Sequence, residues 1–196
     1  MSGRRATLIG ALVGALTLGP LAIAATSPLL QWRQPVYIAA GFAGVAGLAL
    51  LLLQPLLIRR LLPGIDGRRW HRVIGVALVL MVVIHIAGLW ITSPPDVVDV
   101  LLFRSPTPFS IWGALAMWAI FGAAFFAALR RRLSPRVWRL SHLVAVTLAV
   151  LTTAAHAVLI DGTMGTLSKL ALCAAALTAT AYAVVKAKPG RMLKRR

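Results

Sequence analysis

Residues 70–91 read WHRVIGVALVLMVVIHIAGLWI, an apolar run closed near both ends by tryptophan and interrupted inside only by His71, Arg72 and His85. About 20 apolar residues suffice for a helix to cross the hydrocarbon core of a bilayer. A buried helix of a soluble domain is rarely so long and so uniformly apolar. The run therefore reads as a membrane span with two histidines in it.

Working outward, five further stretches have the same character: residues 6–25, 36–58, 109–129, 137–160 and 166–185. The connections between them are short and carry turn residues. Pro28 and Pro35 bracket the first, Pro63-Gly64 marks the second, and Pro94-Pro95 with Pro106 and Pro108 marks the third. Pro135 and Asp161-Gly162 mark the last two. No connection is long enough to hold a soluble domain. The predicted fold is all-α: an integral membrane six-helix bundle that forms a single transmembrane domain over residues 1–196.

Composition agrees. Of 196 residues 60% are hydrophobic and only 13% charged, where a soluble domain carries roughly a quarter charged residues. An ordinary soluble enzyme is excluded. The 21 Lys+Arg against 4 Asp+Glu, a formal charge of +17, would suit nucleic acid if it lay on one polar face. Here the basic residues sit between apolar runs, so no nucleic-acid partner is expected and the lipid bilayer is. Counting residues at or near the span ends, the side of the N-terminus, the second and fourth connections and the C-terminus holds all the basic residues except Arg33, Arg104 and Lys169. The positive-inside rule then places both termini in the cytoplasm. Residues 1–24 carry a second reading, since Arg4-Arg5, an apolar run and Ala22-Ile23-Ala24 also resemble a cleavable signal peptide.

Several features have plain structural readings. Trp32, Trp70, Trp90, Trp112 and Trp138 lie near span ends, where tryptophan anchors helices at the interface. Gly41, Gly44 and Gly47 permit close helix packing. Cys173 is alone, so there is neither a disulfide framework nor a CxxC pair. There is no glutamate, and Asp66, Asp96, Asp99 and Asp161 all fall between spans, which leaves the membrane interior without a carboxylate.

The histidines are the exception. There are four, all within two of the six spans: His71 and His85 in the third, His142 and His156 in the fifth. Each pair is separated by 14 positions. At 3.6 residues per turn this is about 40° short of four turns and about 21 Å of axial rise, so both members of a pair share one helix face. The third and fifth spans run in the same direction. His71 can thus face His142 at one level and His85 can face His156 at another.

Two opposed neutral imidazoles suit the two axial positions of a haem iron. A zinc site would call for four ligands, typically with cysteine or carboxylate among them; copper or nickel is less excluded. Two haems at different depths would let an electron cross in steps. Arg69, Arg72 and Arg139 flank the inner pair and are candidates for the anionic propionates, although each also reads as a positive-inside anchor. Gly75 and Gly88 would leave a helix face clear beside a macrocycle, or simply serve helix packing.

These residues resemble the ferric reductase-like transmembrane domain, the six-helix haem b module of ferric reductases, NADPH oxidases and the haem-binding membrane subunit of the methionine sulfoxide reductase system. The resemblance rests on Arg69-Trp70-His71-Arg72-Val73-Ile74-Gly75 leading to His85, and on Trp138-Arg139-Leu140-Ser141-His142 leading to His156. It covers about residues 36 to 187. It implies an oxidoreductase subunit of the inner (plasma) membrane with two bis-histidine b-type haems. His71 and His142 would bind the inner haem, and His85 and His156 the outer one. Electrons would pass from a cytoplasmic-side donor to an acceptor on the opposite side. With no Gly-rich dinucleotide loop and no soluble flavin or nicotinamide domain, they would come from FMN or quinone at the cytoplasmic side, that is, from a separate reductase or quinol. A periplasmic or extracellular acceptor protein would complete the route. The competing readings are a metal or small-solute transporter component that uses the membrane histidines, a scaffold that needs none of them, and a cytochrome b561-like electron carrier.

Overall fold

A computed structural model describes residues 3–187. Among the described residues the chain is helical with no strand: α1 (Gly3–Ala25), α2 (Pro35–Ile58), α3 (Gly67–Thr92), α4 (Pro94–Leu101), α5 (Ser110–Ala128), α6 (Pro135–Leu159) and α7 (Thr166–Ala187). Six of these, all but α4, are long and apolar enough to cross a membrane. Each agrees with a span expected from the sequence to within a turn at either end.

The helix starts follow from local chemistry. Asp66 caps α3, its carboxylate accepting from Arg68 N at 3.2 Å and Arg69 N at 3.3 Å, which satisfies backbone donors that have no partner inside the helix. Ser134 caps α6 by accepting from Val137 N at 3.3 Å, and Pro135 fills the first helical position, where a missing N–H costs nothing. The same rule explains α4. Pro94-Pro95, expected only as a turn, also opens a short helix because proline is preorganised for the first turn. Pro20 and Pro55 lie inside α1 and α2, whose helices continue through them.

The spans are arranged as two antiparallel hairpins. α2 packs most extensively on α3, and α5 on α6, while α7 lies against both α2 and α6 and α1 against α2 and α7. α3 and α6, which carry the histidines, do not pack closely on each other. The apolar core gathers around α2 and α7, with Leu48, Leu52, Leu172, Cys173 and Ala176 buried and Ala149 and Val150 of α6 joining them. Val76, Leu80 and Val83 of α3 and Leu148 and Leu151 of α6 are exposed, as is Trp118 of α5. On membrane spans such residues face acyl chains, and the packing between helices rests on close contact of small side chains and on interhelical hydrogen bonds. Gly88 shows the point. A Cβ there would stand 2.8 Å from the Ala40 Cβ, so its absence lets α3 approach α2.

Candidate functional site

The seam between α3 and α6 is where the histidines meet. At the end of the bundle that carries Arg59, Arg60 and Arg130–Arg132, the rings of His71 and His142 stand with centroids 6.5 Å apart and planes at 75°. At the other level, His85 and His156 line one cavity of about 480 Å³. That lies within the roughly 300–1,000 Å³ of ligand and cofactor pockets.

Each histidine reaches from its own helix to a main-chain carbonyl of its hairpin partner. Nδ1 lies 2.7 Å from Ala40 O for His85, 3.0 Å from Ala123 O for His142, 3.0 Å from Phe109 O for His156 and 3.3 Å from Gln54 O for His71. A carbonyl oxygen only accepts. In His85, His142 and His156, Nδ1 therefore carries the proton and donates it, leaving the Nε2 lone pair available. A ring N–H donated to a backbone carbonyl is the usual partner arrangement of a metal-ligating histidine, because it fixes the tautomer and the ring orientation.

His71 has an additional neighbour. The Gln54 carboxamide lies against the same ring edge, one terminal atom 2.6 Å from His71 Nδ1 and the other 2.9 Å from the Gly75 amide nitrogen. Gly75 N–H only donates and His71 O only accepts, so the amide oxygen faces Gly75 and its NH2 faces His71 Nδ1, which sets His71 apart from the three rings whose Nδ1 donates to a carbonyl.

The acceptors repeat as the histidines do. Ala40 and Gln54 on α2 are 14 positions apart, and so are Phe109, the N-cap of α5, and Ala123 within it. The hairpins α2–α3 and α5–α6 are thus two copies of one device, each holding two imidazoles at two levels. A glycine sits four residues after each outer acceptor. A Cβ on Gly44 would stand 3.0 Å from His85 Nδ1, and one on Gly113 would stand 2.8 Å from His156 Nδ1. A side chain at either position would make the ring shift from where it lies.

Paired imidazoles are a donor set that would suit a haem iron. A metal–nitrogen bond of about 2.0–2.1 Å plus roughly 1.1 Å from nitrogen to ring centre predicts about 6.3 Å between two imidazole centroids across one metal, close to the 6.5 Å between His71 and His142. Among the described residues no group of three or more His, Cys, Asp or Glu side chains comes together, so the four-ligand set of a zinc site is not assembled from them. The outer cavity is lined mainly by apolar residues such as Leu48, Leu78, Met117 and Ile120. Thr153, also on its wall, has a buried hydroxyl with no partner, as does the Trp138 indole N–H at the inner level. Trp138 stacks on His142 at 6.3 Å and 22°, and the Phe109 ring stands edge-on to His156 at 5.9 Å.

Other expected site residues fall as follows. Arg69, Arg72 and Arg139 are exposed near the inner histidines on α3 and α6. Gly75 faces Gln54, and Gly88 faces Ala40, so both serve helix contacts. Gly88 has a consequence for the site, since the approach it permits brings Ala40 O within reach of His85. Of the glycines first read as packing residues, Gly41 faces Thr163 and Gly47 faces Met81, while Gly44 faces the His85 ring. Gln54, Gly113, Thr153 and the four carbonyl partners were not evident from sequence.

Compared with curated proteins and with solved structures, the chain finds no match in either. A family match does exist. The ferric reductase like transmembrane component matches residues 40–153, more than half of the chain, from the carbonyl that holds His85 to the wall of the outer cavity, with His71, His85 and His142 inside it. The chain belongs to the ferric reductase like transmembrane component family.

Proposed function

We propose that this chain carries single electrons across a membrane through two b-type haems, one held by His71 and His142 and the other by His85 and His156. The observation that carries this reading is the pairing itself: two hairpins present imidazoles at two levels, with Nδ1 of each ring set against a carbonyl. A bis-histidine haem iron exchanges one electron between its ferric and ferrous states.

The chain's own residues do the remaining work. The carbonyls of Ala40, Phe109 and Ala123 hold Nδ1–H and aim Nε2 into the seam, while Gly44 and Gly113 leave room for the rings. Arg69, Arg72 and Arg139 sit at the level of the inner pair to meet propionates, as charge-assisted donors do. The positive-inside rule puts that end, and both termini, in the cytoplasm of a plasma-membrane protein. The donor is FMN or quinol, or a separate reductase, on the cytoplasmic side, and the acceptor lies on the opposite side.

The test is electron transfer in sealed vesicles. With purified protein in proteoliposomes that enclose ferricyanide, adding dithionite outside should reduce the enclosed dye much faster than in protein-free vesicles. The His85→Ala variant should lose most of that rate. A rate equal to that of protein-free vesicles would contradict the proposal.

A further inference from the structure

We propose that Lys169 binds a carboxylate of the macrocycle held between His85 and His156; this rests on the haem reading above. Lys169 lies in the first turn of α7 and is 5% exposed, the one buried Lys or Arg among the described residues. The other basic residues expected on this side, Arg33 and Arg104, are exposed. Lys169 lines the same cavity as His85 and His156.

A buried ammonium is costly unless its charge and its donors are matched. Nζ has three donors. One goes to Ile160 O at 2.7 Å, which completes the C-terminal end of α6. The nearest carboxylate, Asp161 Oδ1, is 3.8 Å away and its side chain is fully exposed. At that distance it accepts no hydrogen bond, and an ion pair with a solvated carboxylate contributes little. A capping role thus accounts for one donor and leaves two without a partner at the wall of a mainly apolar cavity, whose one other charged lining residue, Asp96, accepts from Ser93 Oγ instead. A haem brings carboxylates, and the two imidazoles already complete its iron. Lys169 therefore serves the macrocycle's acid group and not its metal, and it does on the outer level what the arginines do on the inner one.

The test compares haem with haem dimethyl ester, which lacks the acid groups, in the full-length wild-type, K169M and K169R proteins. The readout is the rate of haem loss to excess apomyoglobin. With haem, K169M should release one of its two haems about tenfold faster than wild type, as expected for a lost charge-assisted hydrogen bond, and K169R should stay near wild type. With the ester, wild type and K169M should release at the same rate. Should K169M fail to fold, wild type alone decides: the ester must leave the outer site faster than haem does. Equal loss of haem and ester from wild type, or a K169M that holds both haems as wild type does, overturns the lysine assignment while leaving the haem reading intact. A wild-type protein that takes up no haem defeats the haem reading itself, and with it this one.

Discussion

His71 of α3 and His142 of α6 face each other with ring centroids 6.5 Å apart, although their helices do not pack closely on each other. Each ring is steadied from behind by its own hairpin, through Gln54 O and Ala123 O. The separation is thus set by two helix pairs, each of which holds one ring.

If each level is a separate site, removing one histidine empties one level. His156→Ala should lower the haem content from two per chain to one and leave the spectrum of a bis-histidine haem. His142→Ala should do the same from the other side. A pyridine haemochrome assay of the purified variants checks both, and loss of both haems from a folded variant would contradict two independent sites.

Gly113 should be as sensitive as the ligand it faces. An alanine there places a Cβ 2.8 Å from His156 Nδ1, so the ring must shift from its place beside the Phe109 carbonyl. Gly113→Ala should lose at least half of the outer haem with the inner one unchanged. Gly122→Ala on the same helix, with nothing within 4 Å of the new methyl, should match wild type in the same assay.

Gln54 touches His71 with both its carbonyl and its side chain. Gln54→Leu keeps the carbonyl and the bulk and removes only the amide. With the amide gone, His71 Nδ1–H has only the Gln54 carbonyl to donate to, the tautomer that frees Nε2. Gln54→Leu should therefore hold the inner haem at least as well as wild type, measured as haem transfer to apomyoglobin, with the outer haem unaffected.

Asp66 tests how the helix start supports the site. Its carboxylate caps two backbone amides of α3, and losing such a cap costs about 1 kcal/mol. Asp66→Ala should lower the thermal stability of the holoprotein by that amount in an unfolding assay, while both haems remain bound at low temperature.

The spans, the histidine levels and their parallel order were legible in the sequence because each rests on side-chain identity: apolar length for the spans, imidazole at 14-residue spacing for the site. The carbonyls of Ala40, Gln54, Phe109 and Ala123 were not, since every residue supplies a carbonyl and only packing decides which one a ring meets. Gly44 and Gly113 were hidden for a related reason. A glycine in an apolar helix reads as packing, and Gly44 was read so, until a ring is found against it. Gly75 and Gly88 looked nearer to the histidines in sequence, yet they face Gln54 and Ala40 across the α2–α3 contact. Pro94-Pro95 was legible as a break but not as the start of α4, because proline signals both.

The most direct measurement is an optical redox titration of the purified protein with haem quantified per chain. Two haems, each with a low-spin bis-histidine spectrum and a Soret band that shifts over two separate one-electron steps, are the predicted result. A colourless protein from haem-replete cells, or one haem per chain with both histidine pairs intact, would contradict it.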